Sequence, residues 1–236
     1  MLESAIGRVS WKNYNFCQYD AVLSAAIEGG RTIYSGAYIM PSGRSAFGSE
    51  RKHRNHLKLI EKMMADRLPA RLHQQQASLE NAFQSLRSYP GLGDFLAYQY
   101  AIDLNYGPLL DASENDFVMP GPGALDGIRK CFSDIGSYSP SDIIRYVHDL
   151  QQAEFERLEL RFDDLWGRPL HLIDCQNLFC EVDKYARVKF PDVKGRTDRS
   201  RIKQIYRPTP GAIKYWYPPK WDINERIATD PEYRSR

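Results

Sequence analysis

Two short stretches contain the residues whose types and spacing could do chemistry, Pro90-Gly-Leu-Gly93 and Glu114-Asn-Asp-Phe117. In the first stretch, glycines let the chain turn sharply between two helices with no Cβ in the way. Backbone N–H groups at the start of the next helix can then bind a phosphate. In the second stretch, Asp116 could stabilise a positively charged sugar while a base departs. A phosphate-binding turn followed by such a carboxylate indicates chemistry on DNA bases.

Further polar residues are candidates for supporting roles in catalysis: Glu114, Asn115, Glu181 and Lys184. Each feature also has a structural interpretation. The sequence of residues 90–93 suits an ordinary turn between antiparallel helices. Asp116 could cap the turn that leads into Pro122, and Glu181 with Lys184 has the i,i+3 spacing of an exposed ion pair.

No spacing in the sequence is diagnostic of a metal site. Two pairs of acids, Glu114 with Asp116 and Glu181 with Asp183, could hold a metal ion, but neither spacing is diagnostic of a metal site. The four cysteines show no metal-ligand spacing, and the histidine pair at positions 53 and 56 has no third ligand. We therefore expect neither a metal nor a cofactor.

Apolar residues at helical spacing predict a mainly α fold that positions these residues. The predicted helices cover residues 14–28, 50–66, the two sides of the 90–93 turn within 77–105, 122–132, about 139–165, and a last helix from Asp174. Ser139 and Asp142 have the spacing of a capping box. The buried stripe of the last helix is predicted to consist of Cys175, Leu178, Val182 and Tyr185.

The charge of the chain is unevenly distributed. Its net charge is only +2, but from Lys184 onward there are 14 Lys and Arg against 6 Asp and Glu. This C-terminal part is the candidate for contact with a polyanion, and a solvated basic tail is the alternative. No run of eighteen apolar residues and no secretory signal pattern is present, so we expect a cytoplasmic protein with no membrane partner.

The turn and the carboxylate together resemble the helix-hairpin-helix DNA glycosylase superfamily. Pro90, Gly91 and Gly93 match its hairpin, and Asp116 is the best match to its catalytic aspartate. The resemblance implies a fold of two helical lobes. We place the hairpin lobe at about 68–135, the second lobe at 1–67 plus 136–190, and a basic, aromatic-rich segment at 191–236.

A longer resemblance covers most of the chain. The sequence is similar to the alpha-glutamyl/putrescinyl thymidine pyrophosphorylases and to the helical domain of hydroxymethyluracil DNA kinases. The matching blocks include Arg51-Lys-His-Arg-Asn-His56, Asp103-Leu-Asn-Tyr106, Gly121-Pro-Gly-Ala124, Gly127-Ile-Arg-Lys130 and Cys180-Glu-Val-Asp-Lys-Tyr-Ala-Arg187. The P-loop motif of the kinases is absent, so kinase activity does not follow from the resemblance.

These resemblances imply that DNA with modified bases is the partner and that a cleft holds an extruded pyrimidine. The expected pocket residues are Phe117, Asn177 and Tyr185. The expected DNA contacts are Gly91, Gly93, Arg51, Lys52, His53, Arg54, His56, Arg187, Arg199, Arg201 and Lys203. Nothing in the sequence indicates a protein partner.

The leading hypothesis from the sequence is a monofunctional DNA glycosylase that excises a bulky modified pyrimidine through Asp116. Defence against phage is its expected biological role. Phe95 and Leu96 stand where lyase-competent relatives carry an amine, which indicates simple hydrolysis. Two alternatives remain open. One is a transferase that displaces pyrophosphate from the base with an amine, and the other is a non-catalytic DNA-binding module.

Overall fold

The computed structural model describes residues 1–36, 38–74, 78–162, 164–202, 208, 211 and 215–229. As predicted, this part of the chain is mainly helical. The helices are α1 (Leu2–Ile6), α2 (Phe16–Glu28), α3 (Arg44–Phe47), α4 (Lys52–Ala65), α5 (Leu68–Gln74), α6 (Leu79–Arg87), α7 (Asp94–Asn105), α8 (Pro122–Cys131), α9 (Pro140–Arg157), α10 (Leu172–Lys189) and α11 (Asn224–Thr229). None of them is long and apolar enough to cross a membrane.

The ends of α9 show how local sequence sets a helix boundary. The capping box is present, because Ser139 Oγ accepts from the Asp142 N–H at 3.2 Å and Asp142 Oδ2 accepts from the Ser139 N–H at 2.8 Å. The helix ends at Arg157 rather than near residue 165. Glu159 takes the left-handed conformation with φ 52° there, and the Leu160 N–H donates to the Phe155 carbonyl at 2.9 Å.

The predicted buried stripe of α10 is wrong except for Cys175. The side chains of Leu178, Val182 and Tyr185 are exposed, and the helix instead buries Leu172, Ile173, Cys175, Gln176, Phe179, Asp183 and Ala186. The reason is the close approach of α8. A methyl group at Gly127 would lie 2.0 Å from the Phe179 carbonyl oxygen, so the glycine determines which face of α10 is covered.

One cluster of buried apolar side chains runs through α4 to α10. It joins residues from both of the expected lobes, among them Leu59, Phe83, Tyr98, Ile144 and Phe179. Tyr98 at the centre is fully buried. This shared core holds α6 and α7 against α8, α9 and α10, while the division into two lobes stays a prediction.

Candidate nucleic-acid interface

The turn between α6 and α7 is anchored at its apolar residues and exposed at its glycines. Leu92 and Tyr89 are buried, whereas Gly91 and Gly93 face solvent. Gly91 has φ 82°, a conformation that favours glycine. Gly93 precedes the first residue of α7, and within the described chain no side chain caps that helix end. The turn therefore presents open backbone beside the positive end of a helix dipole, which suits a phosphate.

One face of α7 continues from this turn to the region around the Tyr38 ring, between α7 and α10, which we call the cleft. Phe95, Gln99 and Asp103 follow one another at i,i+4 spacing on this face. The ring of Tyr38 stacks on Phe95 with 5.7 Å between the ring centroids and 14° between the planes. Burial raises the pKa of Asp103, and burial followed by the charge of Asp103 raises the pKa of Tyr38.

The start of α8 and one side of α10 form the opposite wall. Gln176 Oε1 accepts from the Gly121 N–H at 3.0 Å. A methyl group at Gly121 would lie 2.7 Å from the Phe95 ring, so a larger residue does not fit there. Burial raises the pKa of the neighbouring Cys180 thiol to about 11, which keeps it protonated. Gly121, Gln176 and Cys180, the groups of this wall named here, are thus neutral.

Asp116 lies on the surface, outside this wall. Its side chain is exposed, and its backbone carbonyl accepts from Arg145 Nη2 at 2.7 Å. Asn115 has a structural contact, because its Oδ1 accepts from the Leu172 N–H at 3.2 Å and so caps α10. The structure therefore gives Asn115 a role in holding the loop rather than in supporting Asp116.

Glu114 is the buried carboxylate of this stretch. It is 7% exposed and accepts hydrogen bonds from Arg168 Nη2 at 3.0 Å and Trp221 Nε1 at 2.7 Å. His171 Nδ1 lies 3.4 Å from the same carboxylate. Burial alone would raise its pKa, but the contacts with His171, Trp221 and Arg168 outweigh burial and lower it. Glu114 therefore joins the loop before α8 to the C-terminal segment.

The predicted pocket residues do not share a pocket. Phe117 packs in the core against Phe83 and Tyr98, with ring centroids 5.1 and 5.9 Å away. Tyr185 is exposed and makes an edge contact with Phe190. Among the three, Asn177 lies nearest the cleft, because its Oδ1 accepts from Gln176 Nε2 at 2.7 Å.

Glu181 and Lys184 form an exposed ion pair at 2.5 Å. This matches the structural interpretation of their i,i+3 spacing. Their charges nevertheless act on the Tyr38 hydroxyl across the cleft.

The basic residues at the start of α4 mostly have partners inside the protein. His53 is 2% exposed and contacts Asp20 at 2.8 Å. The predicted contact of His53 with a DNA phosphate is therefore wrong. The hydrogen bond from Arg54 lowers the pKa of Asp20 to about 2. Because a buried histidine needs a polar partner, this contact holds α4 against α2.

The remaining residues of this group are nearer the surface. Arg51 donates to Glu28 at 2.9 Å, and Lys52 lies over the Tyr34 ring at 4.4 Å. The His56 ring bonds to the Tyr34 hydroxyl and to a backbone carbonyl. The side chains of Arg51 and Arg54 are 41% and 38% exposed, so of the predicted contacts on this helix only His53 is withdrawn from the surface.

A buried ion network fixes α8 to α10. Asp183 is 1% exposed and contacts both Lys130 and Arg187. Arg187 also donates to the Arg201 carbonyl at 3.2 Å, so the predicted DNA contact at Arg187 is occupied by protein groups. Arg201 itself is exposed, whereas Lys203 lies outside the described residues.

Asp126 anchors the beginning of the basic segment. Its carboxylate accepts from the backbone N–H groups of Arg196 and Thr197 at 2.7 and 3.0 Å, and Arg199 lies 3.3 Å away. Burial opposes ionisation, but the bonds from Thr197 and Arg196 outweigh it and lower the pKa of Asp126. The segment from 195 to 199 is thus held against α8.

The described residues contain no group of three or more His, Cys, Asp or Glu arranged to hold a metal ion. The sequence reasoning missed the cleft residues Tyr38 and Gln99 and the structural role of Glu114. The i,i+4 spacing of Phe95, Gln99 and Asp103 is the sequence feature that predicts that these three residues share one face of α7.

The comparison with protein families decides the family. A model of the helical domain of 5-hmdU DNA kinases matches residues 1–195. The chain belongs to this family. Among curated proteins, the 5-hmdU DNA kinase of Bacillus phage SP10 is 28% identical over 178 residues, which cover 70% of this chain and 28% of that relative. The chain therefore spans less than a third of the relative's length. No solved structure matches it.

Membership of the 5-hmdU DNA kinase helical-domain family corrects the leading hypothesis. The relative is named as a kinase, which transfers a phosphoryl group, so the assignment of this chain as a base-excising hydrolase is wrong. The link to the glycosylase superfamily stays a prediction.

Proposed function

We propose that this chain is a DNA-binding module of base hypermodification. It binds DNA that carries 5-hydroxymethyluracil and presents the modified base for a transfer reaction at the 5-substituent. The observation that carries the proposal is the exposed turn at residues 90–93, which lies within the region that matches the family. The name of the phage relative supplies the substrate class.

The proposed division of labour follows from the sequence. The chain has no Gly-x-x-x-x-Gly-Lys-Ser/Thr motif, so we assign nucleotide binding to none of its residues. Its contribution is to bind the DNA backbone at the turn and to hold the base within reach of the reacting group. Binding at the turn uses backbone N–H groups, so it recognises DNA of any sequence.

Gly93 permits a test with little effect on the fold. Its φ is not in the left-handed region, and no atom lies within 4 Å of the position a Cβ would take. Gly93→Val therefore places a side chain on the exposed turn without a clash inside the protein. Gly36→Val is the matched control, because Gly36 has the same open surroundings.

We expect Gly93→Val to weaken DNA binding about tenfold in fluorescence anisotropy, since one charge-assisted contact contributes about 1.5 kcal/mol or more. Both variants should unfold at the wild-type temperature. Unchanged affinity in Gly93→Val would show that DNA does not contact the turn.

The same measurements test the substrate class. Wild-type protein should bind an oligonucleotide with 5-hydroxymethyluracil more tightly than one with thymine at that position. Transfer of an amine to the base with loss of pyrophosphate is the second candidate, favoured by the charged Asp103, Glu181 and Lys184 around the cleft. Nucleoside analysis after incubation with pyrophosphorylated DNA and an amine checks it, since only the transferase yields a new nucleoside.

A further inference from the structure

The Nε2 atom of the Gln99 side chain is buried without a hydrogen bond. It is inaccessible to solvent and has no partner among the described residues. A buried amide N–H without a partner destabilises the folded protein, so a residue of this kind needs an explanation. Gln99 lies one helical turn from Phe95 and one from Asp103, on the face of α7 that borders the cleft.

Tyr38 lies over the Phe95 end of this face of α7. Its ring stacks on Phe95, yet the residue is 54% exposed and its backbone is left-handed, with φ 49°. That conformation is uncommon for a tyrosine and is energetically unfavourable. The hydroxyl end of the ring lies in the field of Asp103, Glu181 and Lys184. The protein can therefore hold an aromatic ring against Phe95 when a polar group of that ring lies near the charged side chains of Asp103, Glu181 and Lys184.

We propose that the Phe95 ring and the Gln99 amide form the binding site for an unpaired pyrimidine, and that Tyr38 occupies this site in the free protein. The inference rests on the proposed function and deepens it. A pyrimidine with a 5-hydroxymethyl group resembles the tyrosine side chain in shape, because both are flat rings with a hydroxyl group at the edge.

The chemistry of the base fits the groups on this face of α7. The base stacks on Phe95, and every base has a π face for such stacking. The Gln99 amide has both a donor and an acceptor, which match the alternating acceptors and donor on the pairing edge of uracil. The Asp103 carboxylate accepts the hydrogen bond of the 5-hydroxymethyl group. This contact distinguishes the modified base from thymine.

Gln99→Leu separates a binding role from a structural one. The substitution removes an unpaired buried amide, so the melting temperature should stay the same or rise. Affinity for a single-stranded oligonucleotide with one central 5-hydroxymethyluracil should fall about tenfold. Affinity for the same oligonucleotide with an abasic site at that position should not change. Gln84→Leu on the exposed side of α6 is the control and should alter neither affinity.

Two further variants test the other parts of the site. Phe95→Leu should weaken binding of the 5-hydroxymethyluracil oligonucleotide about tenfold relative to the abasic one, because the stacking ring is lost. Tyr38→Ala should strengthen it severalfold, because the base no longer displaces the tyrosine. Weaker binding in Tyr38→Ala would overturn the assignment of Tyr38 as an occupant of the site.

The failure of this inference can be told from the failure of the proposed function. If wild-type protein binds 5-hydroxymethyluracil and thymine oligonucleotides equally, the proposed function fails. If wild-type protein prefers the modified base and Gln99→Leu keeps that preference in full, only the present inference fails. A lower melting temperature in Gln99→Leu would also contradict it, since the amide would then have a structural partner.

Discussion

The Glu114 carboxylate is buried between Arg168, Trp221 and His171, and it lies two residues before the carboxylate that the sequence marked as catalytic. Arg168 is itself buried and stacks over the Trp221 ring at 3.8 Å. Removal of the Glu114 charge would leave the buried Arg168 with Asp174 as its remaining counter-ion, 2.9 Å from Nη1. At this scale, Glu114 therefore holds the C-terminal segment to the loop before α8.

Glu114→Gln should lower the free energy of unfolding by about 3 kcal/mol at neutral pH. Asp116→Asn is the matched control and should change it by less than about 0.5 kcal/mol, because Asp116 is exposed. Denaturant unfolding of both variants measures the difference. An equal effect of the two substitutions would contradict the buried pair.

The pH dependence of this stabilisation has a definite sign. The folded-state pKa of Glu114 lies below its ordinary value of 4.5. Its stabilisation is therefore complete above that value and is lost as the pH falls through the folded-state pKa. The stability difference between wild type and Glu114→Gln should shrink below about pH 4.5, as measured by unfolding at several pH values. A constant difference down to pH 2 would be inconsistent with this.

The residue scale also shows the limit of sequence reasoning. Asp116 was favoured because spacing alone cannot tell an exposed carboxylate from a buried one. The partners of Glu114 lie more than fifty residues away, at Arg168 and Trp221, and only the fold brings them together. His53 was misassigned for the same reason, since its partner Asp20 is on another helix.

At the scale of elements, helices were predictable where their ends carry local signals. Ser139 and Asp142 fixed the start of α9, and the glycines of residues 90–93 fixed the turn between α6 and α7. The buried face of α10 was not predictable from α10 alone. Its exposed stripe is as apolar as a core stripe, and the glycines of α8 decide which side is covered.

Gly127→Ala should therefore destabilise the protein strongly, because the added methyl group would lie 2.0 Å from the Phe179 carbonyl oxygen. Overpacking of a close helix contact costs about 1–3 kcal/mol or more. Gly107→Ala is the control, since its methyl group would meet its nearest atom at 3.7 Å. Thermal unfolding should show a clear drop in melting temperature for Gly127→Ala only. A wild-type melting temperature would mean that α8 and α10 do not approach so closely.

At the scale of the whole molecule, the basic C-terminal segment is attached to the helical body rather than separate from it. Asp126 holds its backbone near residues 196 and 197, and Arg187 binds the Arg201 carbonyl. Because these contacts use backbone groups of the segment, the side chain of Arg201 remains exposed. The first part of the segment thus adds positive charge to the surface, whereas Ile223 and Ile227 further along are buried.

This distribution of charge leads to a prediction about salt. Reversing Arg201 and Lys203 to glutamate should weaken binding to all DNA sequences alike and lower the slope of log affinity against log salt by about 2, since each phosphate contact contributes about 0.9. Reversing Arg8 and Lys12, which changes the net charge equally in the acidic part of the chain, should leave the slope unchanged. Anisotropy titrations at several salt concentrations measure both slopes. Equal slopes in the two variants would show that net charge, rather than contact by the C-terminal segment, governs binding. DNA would then have to be held at the turn and the cleft alone.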